Sequence, residues 1–267
     1  MAKVSAEAKK EFFEVIKKHK QQIEQIEQRE KNLQKVLGSD QSGAQYKRIT
    51  LAEERLNLAS YYLLLNQISL EMLKIKNESY LNDARKSCYQ SIIYLEDVVS
   101  DWVDAPFSDY LELQEKIDGF EDSSRYDLVV KLGLAIDSVR EDFGENSKWK
   151  WSFVELDGRF AAIAKNLLNF RTLVSGMDPR VDGYEVRMRH LRIAKEKLVH
   201  AADRYREKYE LSTNRIDDFK LAIQYLSALR RLHMQIGETD DAEKVKKKID
   251  VWKNKMESDE KAAESRR

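Results

Sequence analysis

Histidine, cysteine and paired carboxylates are the residues with which helical proteins most often bind metals or transfer protons. The chain has one cysteine, Cys88, and four histidines that lie far apart in the sequence: His19, His190, His200 and His233. It has no Glu-x-x-His pair, no His-Glu-x-x-His motif and no cysteine pair. Glu196 stands one turn before His200, but such neighbours are common on highly charged helices. The sequence therefore predicts no metal site.

Catalytic and cofactor motifs are also missing. There is no Gly-x-Gly-x-x-Gly fingerprint, no phosphate-binding loop and no nucleophile elbow. His19, His233 and Cys88 fall at apolar seam positions, where a packed side chain is the usual outcome. We expect no catalytic residue, no cofactor and no enzyme activity. An enzyme whose site is dispersed over several helices remains the third alternative.

The composition narrows the class of protein. The 267 residues include 47 basic and 47 acidic side chains, with only two prolines and nine glycines. An even charge balance argues against a general nucleic-acid binder, and few prolines and glycines predict long uninterrupted elements. The N-terminus lacks an apolar run of signal-peptide length. We expect a cytoplasmic protein without a membrane span, or a periplasmic one if the chain is a processed form.

Apolar residues recur in steps of three and four, which is typical of amphipathic helices. The pattern predicts an all-α antiparallel bundle of about nine helices, at roughly 4–37, 44–76, 79–102, 108–118, 124–143, 149–174, 184–209, 216–236 and 239–256. The first helix has a narrow heptad seam, at Phe12, Ile16, Ile23, Ile26, Leu33 and Leu37, with His19 and Glu30 in the remaining slots. Such a seam packs along the bundle or pairs with another chain.

The stretch Leu56 to Leu70 is the longest run without a charge, and it is apolar on every side. A helix of this kind must be covered by neighbours, so we expect it to be the central helix of the assembly. The predicted segments are an N-terminal helix and loop (1–43), a first helical half (44–120), a second helical half (121–256) and a frayed charged tail (257–267).

The last two helices, at about 219–256, resemble a tetratricopeptide repeat. Gly237 matches the turn residue of that motif, Leu226 and Leu229 its apolar positions, and Ala242 a small position of the second helix. Arg230, Ile249 and His233 depart from the pattern, and no 34-residue recurrence precedes the pair. The resemblance implies a scaffold that binds partners on a concave surface. A plain helical hairpin with a glycine turn would share most of these features.

Charge is distributed unevenly along the chain. Between Glu96 and Glu145 fifteen acidic residues face four basic ones, whereas nine basic residues face five acidic ones between Pro179 and Lys208. Either these regions pair within one molecule, or they form separate surfaces that bind charged partners. The candidate protein-binding residues are Asp97, Asp101, Asp104, Asp109, Glu112, Arg187, Arg189, Arg192 and Lys195.

These observations favour a non-catalytic scaffold or adaptor that binds proteins through a rigid helical surface. The alternative is a self-associating subunit of a filament or its coat. For this alternative, the heptad seams and the basic run from Arg187 to Glu210 resemble the all-helical accessory proteins of bacterial flagella. We expect protein partners, self-association included, and no nucleic acid.

Overall fold

The structure is a computed structural model that describes residues 5–144 and 147–264. Within these residues it has nine α-helices and no strand, which confirms the predicted all-α class. The helices are α1 (Ala6–Ser39), α2 (Ala44–Leu73), α3 (Glu78–Val99), α4 (Phe107–Glu115), α5 (Asp122–Phe143), α6 (Lys150–Asn166), α7 (Tyr184–Lys208), α8 (Ile216–Gln235) and α9 (Thr239–Glu264). A 3₁₀ turn (Ser175–Met177) precedes α7, and a π-helical turn (Tyr209–Thr213) follows it. Val4, Glu145 and residues 265–267, to which the sequence predictions extended, lie outside the described residues.

The chain divides into two compact units. Unit 1 comprises Met1–Val98 and Val130–Trp149, and unit 2 comprises Val99–Val129 and Lys150–Arg267. One boundary falls inside α5, between Val129 and Val130. The predicted segments 44–120 and 121–256 therefore each contribute residues to both units.

In unit 1, the heptad seam of α1 packs against α2 of the same chain. Phe12, Ile16, Ile23 and Ile26 are buried in one cluster with Leu58 and Leu65 of α2. Glu30, in a seam slot, is buried as well. Its Oε1 accepts hydrogen bonds from Arg55 Nε at 2.8 Å and from the Tyr94 hydroxyl at 2.7 Å. The seam of α1 is thus occupied within its own chain.

The apolar stretch of α2 is covered over most of its circumference but not all of it. Leu56, Leu58 and Leu65 are almost fully buried, whereas Leu64 and Leu70 are 39% and 42% exposed. The prediction that neighbours cover this helix on all sides is therefore wrong at these two leucines. Exposure of single apolar side chains is common in folded proteins and needs no special compensation.

The junction between α2 and α3 differs from the prediction. α2 ends at Leu73 because Lys74 adopts a left-handed conformation, with φ of 56°. The Asn77 side chain then accepts hydrogen bonds from the backbone amides of Ser79 (3.1 Å) and Tyr80 (3.3 Å). Asn77, rather than the predicted Ser79, therefore caps α3.

In unit 2, α6 is shorter than its apolar pattern suggests. The prediction extended this helix to Val174, but it ends at Asn166. The buried Asn166 amide donates to the backbone carbonyls of Ser100 and Trp102, at 3.0 and 3.2 Å. Gln114 accepts from the Phe170 amide at 2.9 Å. Arg125 donates to the Leu167 carbonyl at 3.2 Å. Gln114 and Arg125, both distant in sequence, thus bind the backbone of residues 167–170 in a non-helical conformation.

The core of unit 2 includes a close approach at Gly158 of α6. The rings of Tyr205 (α7) and Tyr225 (α8) stack with centroids 5.6 Å apart. A Cβ atom added at Gly158 would lie 2.6 Å from an atom of each of these tyrosines. Glycine therefore allows three helices of unit 2 to pack closely at this point.

The C-terminal helices form the hairpin that the sequence predicts. Gly237, with φ of 79°, lies between α8 and α9, and Ala242 is fully buried. The predicted frayed tail is instead helical as far as Glu264. Asp259 in this part accepts a hydrogen bond from the Tyr209 hydroxyl at 2.9 Å, which fixes the end of α9 to the unit.

Candidate functional site

The five predicted acidic residues fall in different units. Asp97 belongs to unit 1, where it is exposed and lies 3.6 Å from Arg48 Nε. Asp101, Asp104, Asp109 and Glu112 belong to unit 2 and lie within or just before α4. Unit 2 therefore holds most of the predicted acidic set in one short segment.

We call the exposed acidic and large apolar side chains of this segment the acidic surface; they are Asp101, Trp102, Asp109, Leu111 and Glu112. Asp109 and Glu112 are three residues apart on α4, so their side chains share a helix face. Trp102 is 44% exposed and packs edge-on against Tyr110, with ring centroids 5.6 Å apart. Leu111 is 39% exposed. The segment thus exposes an anchored aromatic ring and three carboxylates.

The fourth acidic residue of unit 2, Asp104, is bound within the unit. Its Oδ1 accepts from Arg231 Nε at 2.7 Å and its Oδ2 accepts from Arg231 Nη2 at 3.4 Å. The hydrogen bond to Asp104 raises the pKa of the Arg231 guanidinium above its usual range. Asp104 is therefore not available to a partner in the way that Asp101 is.

Asp104 and Arg231 also line a groove of about 510 Å³ between α8 and α9, which we call the cationic groove. Four of its lining residues are basic and two are acidic. They are Asp104, Ser227, Arg230, Arg231, Met234, Lys246, Ile249, Asp250 and Lys253. This groove was not predicted from the sequence, because Asp104 and Arg231 are 127 residues apart in the chain.

The predicted basic residues do not form a common surface. Arg187 is buried and donates to Asp122 Oδ2 at 2.9 Å and to the Gly176 carbonyl at 2.6 Å, so it is not an accessible binding residue. Lys195 donates to both carboxylate oxygens of Glu238. Arg189 contacts Glu185, and Arg192 is exposed. The pair Arg187–Asp122 joins the basic and acidic regions of the sequence inside unit 2.

A buried lysine, Lys165 of α6, was not predicted by sequence analysis. Its Nζ donates to the Tyr110 hydroxyl at 2.8 Å, and its side chain is 2% exposed. Burial lowers the pKa of Lys165 to about 7. A lysine with such a pKa can take part in amine chemistry, but this one is enclosed by packed side chains. Its position in the apolar run Phe160–Leu168 was the available signal in the sequence.

His233, Glu238 and Asp241 form the group within the described residues whose ligand atoms are close enough to hold a metal ion, all within 4.8 Å of one another. His233 Nδ1 lies 2.5 Å from Glu238 Oε2. However, Lys195 already binds both Glu238 oxygens, and Lys244 Nζ donates to Asp241 Oδ1 at 2.8 Å. The carboxylates of Glu238 and Asp241 are thus bound by lysine ammonium groups. The cluster is an ion-pair network at the start of α9.

The remaining candidates for chemistry are enclosed or bound. Cys88 is fully buried as predicted, and burial raises the pKa of its thiol to about 12. His190 Nε2 lies 2.8 Å from the Ala164 carbonyl, and burial lowers the pKa of this imidazole to about 4. His200 Nε2 lies 3.5 Å from Asp157 Oδ2. His19 packs beside Tyr61.

Across residues 5–144 and 147–264, every helix falls short of the length and hydrophobicity that crossing a bilayer requires.

The comparisons with known proteins identify a family for this chain. No curated protein and no solved structure matches the chain. The match found is not to the tetratricopeptide repeat, so that resemblance of α8 and α9 is unconfirmed. The TP0443 family matches residues 8–260, nearly the whole sequence, and the chain therefore belongs to the TP0443 family.

Proposed function

We propose that this protein is a non-catalytic interaction scaffold, and that the acidic surface of unit 2 binds a basic segment of a partner protein. The observation that carries this proposal is Trp102, a large aromatic side chain that is 44% exposed in a segment with three exposed carboxylates. Tryptophan is enriched among the residues that dominate binding energy in protein interfaces. Its position on Tyr110 limits its freedom before binding, which reduces the entropic cost of association.

The exposed carboxylates of the acidic surface favour a partner segment of positive charge. Asp101, Asp109 and Glu112 are exposed, and the ion pair of Glu112 with Lys116 is a solvent-accessible pair within one helix. Such surface pairs are weak, so a basic partner can displace the lysine at low cost. Complementary charges mainly increase the association rate, and we expect this rate to fall with ionic strength.

Selection from a displayed peptide library tests this function with the full chain as bait. The selected peptides should be basic, and Trp102→Ala should weaken their binding by about 2 kcal/mol, roughly thirtyfold. Reversing Asp101, Asp109 and Glu112 to lysine should abolish binding. Isothermal titration calorimetry measures both effects.

A second triple charge reversal provides the matched control. Asp217, Asp240 and Glu257 are also exposed in unit 2 but lie on α8 and α9. Their replacement by lysine changes net charge equally and should leave most of the affinity intact. If peptides bind both triple variants equally well, or if Trp102→Ala has no effect, the acidic surface is not the binding site.

One observation favours a second candidate function, a self-associating structural subunit of a filament or its coat. Unit 2 presents both an acidic surface and a groove in which cations outnumber carboxylates. Binding of the acidic surface of one copy to the cationic groove of the next would produce head-to-tail assembly. The seam of α1 does not contribute to this, because it packs on α2 of its own chain. The two functions differ in the mass of the protein in solution.

A further inference from the structure

The cationic groove of unit 2 contains two basic side chains that no carboxylate of the described part of the chain pairs. Among the described residues, Arg230 and Lys253 form no ion pair, and the buried Nε of Arg230 has no hydrogen-bond partner. Both side chains line the groove, so their positive charges are available to an anion from outside the chain.

The spacing of the groove residues places the cations of α8 and α9 on the helix faces that line the groove. Ser227 and Arg230 are three residues apart on α8, so they share the face of α8 that lines the groove. Lys246, Asp250 and Lys253 follow in steps of four and three on α9. An anion between the two helices can thus be approached from both sides.

The balance of charge indicates how much negative charge the groove accepts. Arg231 and Asp104 neutralise each other through two hydrogen bonds. Lys246 pairs with Glu243 at 3.8 Å, but both side chains are about half exposed, and such surface pairs are weak. Arg230, Lys253 and, when it turns away from Glu243, Lys246 then face one carboxylate of the groove, Asp250. Two to three cations suit a phosphate group, which carries nearly two negative charges and three acceptor oxygens.

We propose that the cationic groove binds a phosphate monoester group or free phosphate, with the terminal Nη groups of Arg230 and the Nζ of Lys253 as its donors. This site is separate from the acidic surface and does not depend on the function proposed for that surface. A guanidinium forms charge-assisted hydrogen bonds with phosphate oxygens, and these are often bidentate. The carboxylate of Asp250 would repel the anion, but the positive charges of Arg230, Lys246 and Lys253 outweigh this one negative charge.

Titration of the full chain with inorganic phosphate, followed by NMR of the arginine Nε–H groups, tests this site. Chloride replaces phosphate at constant ionic strength in the reference titration. We expect a saturable shift of the Arg230 Nε–H signal, and at least a fivefold weaker affinity in Lys253→Gln. Lys247→Gln removes the same charge from the same helix at a position outside the groove, and it should bind as the wild type does.

Two further titrations distinguish the source of the phosphate. A short phosphoserine peptide that binds more tightly than inorganic phosphate would support a phosphorylated partner, and equal affinities would support free phosphate. The unphosphorylated peptide should not bind. The proposal is overturned if phosphate gives no saturable shift, if acetate binds equally well, or if Lys247→Gln weakens binding as much as Lys253→Gln.

Discussion

Lys165 lies where water does not reach its ammonium group, and this placement makes the stability of the fold depend on pH. Burial lowers its pKa to about 7, and the hydrogen bond to Tyr110 compensates part of the lost hydration. Between pH 7 and the ordinary lysine value of 10.5, the unfolded chain binds a proton that the folded chain does not. The free energy of unfolding therefore rises with pH in this window.

Replacing Lys165 by methionine should remove this dependence. The wild type should gain about 1 kcal/mol per pH unit above pH 7, whereas Lys165→Met should gain much less. At pH 7 the variant should be as stable as the wild type or more so, because an apolar side chain of similar length carries no desolvation cost. Urea denaturation at pH 7.0 and 8.5 measures both quantities. Equal slopes for the two proteins would refute this account of Lys165.

His190 should make the fold sensitive to acid in a separate pH range. Its folded-state pKa of about 4 lies below the ordinary value of 6.5, so only the unfolded chain takes up a proton between these values. The stability due to His190 is complete above pH 6.5 and decreases as pH falls towards 4, by a total of about 3 kcal/mol. His190→Gln should lose less stability between pH 7 and 4.5 than the wild type.

The control for His190 is His200→Gln, since the side chain of His200 is 46% exposed. Chemical denaturation of the three proteins at both pH values provides the comparison. If His190→Gln and His200→Gln lose stability as steeply as the wild type does, burial of His190 is not the cause of acid sensitivity.

At the scale of helices, Gly158 determines how closely α6 can approach α7 and α8. In a helix interior, Gly→Ala normally stabilises by up to about 1 kcal/mol. At Gly158 a methyl group would overlap Tyr205 and Tyr225, so Gly158→Ala should destabilise by about 1–3 kcal/mol. Gly38, which lies in α1 with open space around the corresponding position, provides the matched control.

Gly38→Ala should be neutral or stabilising, in contrast to Gly158→Ala. Thermal unfolding of both variants measures this difference. If the two substitutions change the melting temperature in the same direction, the close packing around Gly158 does not limit the fold.

The periodicity of apolar residues predicted α1, α7 and α8 to within a few residues, but it did not predict the end of α6. The apolar steps continue through Leu167 and Phe170, but Arg125 and Gln114 bind backbone groups there from a distance in sequence. No local pattern records such hydrogen bonds. Lys74 is a similar case, because a left-handed lysine at the end of α2 has no sequence signature.

The candidate sites were predictable to different degrees for a related reason. Asp101, Asp109 and Glu112 lie in one short segment, so their clustering can be read from the sequence. Arg187 is part of a basic run, yet its guanidinium is directed into the fold by Asp122. The cationic groove needs residues from three parts of the chain. The packing of α8 on α9 and the ion pair of Arg231 with Asp104 bring them together.

At the scale of the whole molecule, the equal numbers of acidic and basic residues hide local surfaces of opposite sign. Some of the opposite charges pair internally, as Arg187 does with Asp122 and Arg231 with Asp104. Others do not: Asp101 is exposed, and Arg230 and Lys253 line a groove. A scaffold uses such surfaces for other molecules, whereas a filament subunit uses them for copies of itself.

Light scattering on a sizing column, at low and at high salt, separates these two functions most directly. The scaffold function predicts a constant mass at both salt concentrations, equal to the 31.3 kDa chain or a small fixed multiple of it. The contradicting result is a large species at low salt that dissociates at high salt and is absent when Asp101, Asp109 and Glu112 are reversed to lysine. That result would assign the acidic surface to self-association and make the structural role the leading function.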